Sequence, residues 1–129
     1  IIVFLSLNNI PMKYTVLAFF LVFLNFSCAQ SSTKSITDVS QEELKKGVVL
    51  DVRTAAEFNG GHLMNAVNID WFNTEFQQQV EATIPKDKTV YVYCKMGGRS
   101  AKAAEKLAAL GYKVTDLTGG YDAYKNAQD

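Results

Sequence analysis

The run Val90-Tyr91-Val92-Tyr93 constrains this chain more than any other stretch. Four β-branched and aromatic residues in a row, with no polar alternation, fit a strand buried on both faces. The run stops at Cys94, crosses Lys95-Met96-Gly97-Gly98, and meets Arg99-Ser100 at the head of an alanine-rich segment that reads as a helix. A cysteine at such a junction faces unpaired backbone N–H groups and the positive end of the helix dipole. Both effects lower a thiol's pKa and attract anions. The junction suits a reactive thiolate that handles an anionic partner.

The flanking sequence supplies strands and helices in alternation. Ser40-Gln41-Glu42-Glu43 is a capping box, and the short helix it opens ends at Gly47. Val48 to Val52 reads as a buried strand with one acid, Asp51. Thr54-Ala55-Ala56-Glu57 is a second capping box before Gly60-Gly61, and Ala66 to Ile69 is a short strand. Asn73 or Thr74 can cap a helix running to about Ala82, with Phe76 and Val80 on its inner face. After the loop, Ser100 to Leu110 predicts a helix with Ala103, Ala104 and Leu107 on its apolar stripe. Tyr112 to Leu117 is a last strand, Gly119-Gly120 a turn, and Tyr121 to Ala127 a closing helix. This alternation predicts an α/β fold, a mostly parallel central sheet flanked by helices on both faces. Sites in such sheets form at the carboxyl ends of strands, where Cys94 falls.

Length allows one domain, and 13 basic residues against 13 acidic ones carry no nucleic-acid signature. The N-terminal stretch has a different character. Ile1 to Pro11 reads as an upstream extension, Met12-Lys13 as a translation start, and Tyr14 to Phe26 as an apolar run of thirteen residues. That is shorter than the roughly 20 residues of a spanning helix and fits an export signal. Ser27 and Ala29 suit cleavage after Ala29, whereas Phe26-Ser27-Cys28 resembles a bacterial lipobox with Cys28 lipidated. Residues 1–29 are then extension and signal, 30–35 a polar tether with no reason to fold, and 36–127 the domain. The expectation is an exported protein, periplasmic or a membrane-anchored lipoprotein, touching membrane only through signal or lipid. Without the signal, Cys94 is the one remaining cysteine and His62 the one histidine. No internal disulfide, metal-ligand cluster or cofactor is implied.

Leu50-Asp51-Val52-Arg53, Glu57-Phe58, Gly61-His62-Leu63, Ala66 to Ile69, Cys94 to Ser100 and Leu117-Thr118-Gly119-Gly120 together resemble the rhodanese (thiosulfate sulfurtransferase) family. The resemblance runs from about Ile36 to Tyr124, with Asn65 where the family often has glycine and Tyr124 where it often has tryptophan. It implies a Cys94 persulfide that moves sulfane sulfur from a thiosulfate-like anion or a persulfide donor to a thiol, cyanide or a protein acceptor. Two alternatives come from other classes: a non-enzymatic docking or sulfur-carrier module, and a Cdc25-like phosphatase or arsenate reductase. The related phosphatases have a loop one residue longer, so the spacing from Cys94 to Arg99 favours the persulfide.

The resemblance makes Cys94 the nucleophile and Lys95, Met96, Gly97, Gly98, Arg99 and Ser100 the anion-binding loop. Arg99 could aim its fork at an oxyanion or brace the loop through a carboxylate. Gly97 and Gly98 would supply positive φ and close backbone approach. Asp51, Arg53 and Glu57 are expected to order the scaffold, with Arg53 pairing with Glu57, and His62 to tie its loop to nearby backbone.

Overall fold

The computed structural model describes residues 31–129; the expected export signal and the candidate lipidation site at Cys28 lie outside the described residues. Five strands, β1 (Ser31–Ser35), β2 (Val48–Asp51), β3 (Val67–Asn68), β4 (Val90–Tyr93) and β5 (Val114–Thr118), form one sheet in the order β1-β5-β4-β2-β3. Every pairing is parallel. Helices α1 (Gln41–Leu44), α2 (Ala55–Asn59), α3 (Phe76–Thr83), α4 (Gly98–Ala109) and α5 (Gly120–Asn126) alternate with the strands. No helix among the described residues is long and apolar enough to cross a membrane.

Strand β4 is central and all four of its residues are buried. Because side chains alternate across a strand, Val90, Val92 and Cys94 enter one core and Tyr91 and Tyr93 the other. The first core is closed by Phe76 and Val80 of α3 and by Ala103, Ala104 and Leu107 of α4. The second takes Leu44 of α1 and, at its margin, Tyr121, Ala123 and Tyr124 of α5. The unbroken apolar run thus reflects two buried faces rather than one.

Ser31 to Ser35 do not form a tether. They are the edge strand β1, in register with β5 from Ser31 opposite Val114 to Ser35 opposite Thr118. Strand pairing uses backbone groups, so an edge strand needs no apolar side chains, and the exposed serines here hide it from a composition-based reading. The Ser32 and Thr115 hydroxyls add a hydrogen bond of 3.0 Å. Strand β1 also alters the first capping box. Ser40 accepts from Glu43 N as expected, but the Glu43 carboxylate turns to Lys34 of β1 at 2.6 Å.

Helix α3 starts at Phe76 without a side-chain cap, the Asn73 side chain instead accepting from Glu75 N within the preceding turn. Helix α4 starts at Gly98, two residues before the predicted Ser100. Asn65 holds φ 61°, a left-handed conformation that asparagine tolerates, which explains how it can stand at a glycine position.

Candidate functional site

Cys94 directly follows β4, with 1% of its surface exposed. The chain then turns through Lys95 and Met96 to Gly97, whose φ of 121° lets it reverse into α4. This fold-back points successive N–H groups inward. Gly97 N donates to Cys94 Sγ at 3.1 Å, and the Met96 and Ser100 N–H groups converge on the same atom. The thiol donates to Ser100 Oγ at 3.5 Å, and that hydroxyl donates to Gly97 O at 3.2 Å. Burial pushes the Cys94 thiol up, yet the Ser100 hydroxyl and the backbone donors outweigh it and leave the pKa below the ordinary thiol value. The site is built to hold negative charge on sulfur.

Gly98 has neither expected role. Its φ is unexceptional and a Cβ there would meet open space. The close approach lies instead at Gly120, with φ 67°, where a Cβ would collide with the Lys95 carbonyl and crowd the Cys94 carbonyl. The first turn of α5 grips the loop at this point: Tyr121 N donates to Cys94 O at 2.8 Å and Asp122 N to Lys95 O at 3.1 Å. Lys95 Nζ pairs with Asp122 at 3.2 Å on the exposed rim, beside Met96, which is 73% exposed.

Arg99 takes the bracing role. Its fork donates to both Glu57 oxygens at 2.8 and 2.9 Å. The Glu57 carboxyl is lowered to about 2, first by Arg99 and then, against a burial cost, by the Thr54 backbone and hydroxyl donors of the capping box. The expected Arg53–Glu57 pair is absent. Asp51 and Arg53 are two residues apart on extended chain, so both side chains leave the same face and Arg53 folds back onto its own neighbour. Arg53 Nη2 reaches Asp51 at 2.7 Å and Gly61 O at 2.7 Å, and its guanidinium lies 4.3 Å from the centre of the Tyr121 ring. Tyr93 OH donates to Asp51 at 2.6 Å and accepts from Leu63 N at 3.1 Å. Burial, then that bond to Asp51, raises the Tyr93 pKa, so the phenol keeps its proton. His62 stacks on Phe58 at 3.7 Å and contacts Phe58 O through Nδ1 at 2.9 Å.

The residues thus separate into three groups. Cys94 to Ser100 and Glu57 assemble at the carboxyl end of β4. Asp51 and Arg53 form a buried scaffold on the opposite sheet face, and His62 ties its own loop to Phe58. Tyr93, Gly120 and Asp122 were not legible as site residues, because each acts through a contact made only in the fold. Asp116 carried one signal, an acid inside a segment that reads as a strand, and it is 4% exposed.

A five-stranded parallel sheet carrying a thiol in a six-residue loop at a helix start defines an α/β protein with an anion-stabilising cysteine site. The Rhodanese-like domain model matches residues 36–127, and the chain belongs to that family. Thiosulfate sulfurtransferase 18 of Arabidopsis thaliana is 40% identical over 113 residues, covering 73% of this chain and 83% of the relative. The adenylyltransferase and sulfurtransferase UBA4 of Candida albicans is 36% identical over 104 residues, covering 76% of this chain. The match spans only 24% of that larger protein. A rhodanese-related protein from Thermoplasma volcanium superposes with a TM-score of 0.67 at 31% identity, covering 74% of this chain and 92% of the other.

Proposed function

We propose that this protein is a sulfurtransferase that carries sulfane sulfur on Cys94. The observation that carries this reading is one buried sulfur with the Gly97 N–H at 3.1 Å and the Ser100 hydroxyl at 3.5 Å, the Met96 and Ser100 N–H groups favouring its anion beside them. With thiosulfate, the Cys94 thiolate attacks the sulfane sulfur. A new S–S bond forms, the bond to the sulfonate breaks, and sulfite leaves with its electron pair. The persulfide anion then occupies the loop, where the same N–H groups face it. An acceptor thiolate or cyanide attacks the outer sulfur, and the electron pair of the broken S–S bond returns to Cys94. Neither step needs a proton donor, metal or cofactor.

The locked Arg99–Glu57 fork supports this over the phosphatase alternative, since a phosphoryl site would direct that guanidinium at the anion. A protein acceptor is the second reading. It draws on Met96 and Phe72, 73% and 69% exposed, the latter with its ring 5.9 Å from the Arg99 guanidinium. It also draws on the larger Candida relative, which is named as both adenylyltransferase and sulfurtransferase.

The test is thiocyanate formation from thiosulfate and cyanide. Wild-type protein forms it, and Cys94→Ser falls to the uncatalysed background while its thermal unfolding persists. Transfer retained in the serine variant would sink the proposal.

A further inference from the structure

Asp116 lies on β5 beneath the catalytic loop and takes no part in the reaction described above. Strand alternation puts it on the same sheet face as Val114, with Val92 of β4 and Thr33 of β1 beside it in register. Helix α4 covers that face with Ser100, Ala103, Ala104 and Leu107. None of these neighbours is charged, and the titratable group reached through Ser100 is Cys94. Asp116 is 4% exposed and its Oδ1 has no hydrogen-bond partner. A buried polar atom left bare is destabilising, so its retention points to a role outside packing.

The Ser100 hydroxyl connects the two groups. It lies against the Asp116 carboxyl, whose Oδ1 is left without a hydrogen-bond partner. It stands 3.5 Å from Cys94 Sγ and donates its proton to Gly97 O at 3.2 Å. A hydroxyl has one proton to give. When Cys94 is a thiol it donates to Ser100 Oγ; as a thiolate or persulfide it has nothing to donate and needs the Ser100 proton itself. The hydroxyl oxygen then loses its own donor.

We propose that Asp116 is a positioning residue for the Cys94 sulfur: its carboxylic acid donates to Ser100 Oγ and so turns the single Ser100 proton from Gly97 O towards Sγ. No covalent bond changes; two hydrogen bonds shift in concert, and the carboxyl proton stays on Asp116. Burial favours the neutral acid, raising the Asp116 pKa, and the Ser100 contact offsets only part of this. In its ionised form the carboxylate would compete with the sulfur for the same proton. The inference rests on Cys94 being the reacting thiol, but it can be tested without sulfur transfer.

The experiment follows iodoacetamide alkylation of the Cys94 peptide by mass spectrometry from pH 5 to 9 in the full chain, with unfolding curves confirming that each variant is folded. Asp116→Val, compatible with a strand between valines, should raise the thiol pKa by about one unit and slow alkylation below that pKa about tenfold. Asp116→Asn keeps a donor for Ser100 Oγ and should stay within about twofold of wild type below neutral pH. In a Ser100→Ala background, Asp116→Val should have no further effect, because its route to the sulfur is already gone. An unchanged profile in Asp116→Val, the same loss with and without Ser100, or a tenfold loss in Asp116→Asn would each overturn the inference. Because alkylation reads the thiolate directly, these outcomes stand apart from any failure of the sulfur-transfer assay.

Discussion

Glu57 accepts both arms of the Arg99 guanidinium and also closes the Thr54 capping box, so one carboxylate fixes the start of α2 and the head of α4. Its pKa falls from 4.5 to about 2, below the value it returns to on unfolding. The pair therefore contributes fully above about pH 4.5, and the contribution is lost as the pH falls towards about 2. The two side chains are 20% and 28% exposed, so solvent screening limits the effect to about 1–2 kcal/mol. Glu57→Gln should lose that much stability at neutral pH, and the gap to wild type should close by about pH 2, as read by urea unfolding at a series of pH values. A gap that stays constant across that range would show that the ion pair is not the source. The sequence pointed to Arg53, nearer along the chain, as the partner of Glu57, and the structure gives Arg99 instead. The strand geometry that turns Arg53 onto Asp51 and leaves Glu57 to Arg99 is a three-dimensional fact.

Among the elements, α5 shows how a distant segment shapes the cysteine loop. Its first turn donates to the Cys94 and Lys95 carbonyls across the position where Gly120 leaves no room for a side chain. Gly120→Ala must both adopt φ 67° with a Cβ and displace the Lys95 carbonyl, at a cost of about 2–4 kcal/mol. Denaturant unfolding should record that loss together with slower alkylation of Cys94; stability within about 0.5 kcal/mol of wild type would mean the loop is not clamped there. The glycine pair was visible in the sequence as a turn, but a turn motif does not name the backbone it presses against. Strand β1 escaped for the opposite reason. Its pairing with β5 is made of main-chain groups, and Ser31-Ser32-Thr33-Lys34-Ser35 has the composition of a linker. By contrast, β4 was legible because two buried faces leave an unbroken apolar run.

For the molecule as a whole, the sheet order sets β4 between β5 and β2, so Cys94 emerges at the centre of the carboxyl edge. The loop and the first turn of α4 supply the N–H groups that face the sulfur, and α5 grips the loop carbonyls at the same end. The cysteine and its loop were readable because they are contiguous in sequence and sit at a strand-to-helix junction. Asp116 and Tyr93 were not, because their roles depend on neighbours more than fifteen positions away that only the parallel register brings close. An anion-stabilising loop on a covered parallel sheet is suited to hold a persulfide between donor and acceptor. The most direct test is intact-mass spectrometry of the purified protein before and after thiosulfate. A Cys94 persulfide predicts a gain of one sulfur atom that is absent in Cys94→Ser and removed by cyanide. No adduct after thiosulfate or a persulfide donor, with the protein folded and Cys94 reduced, would contradict sulfur carriage by this loop.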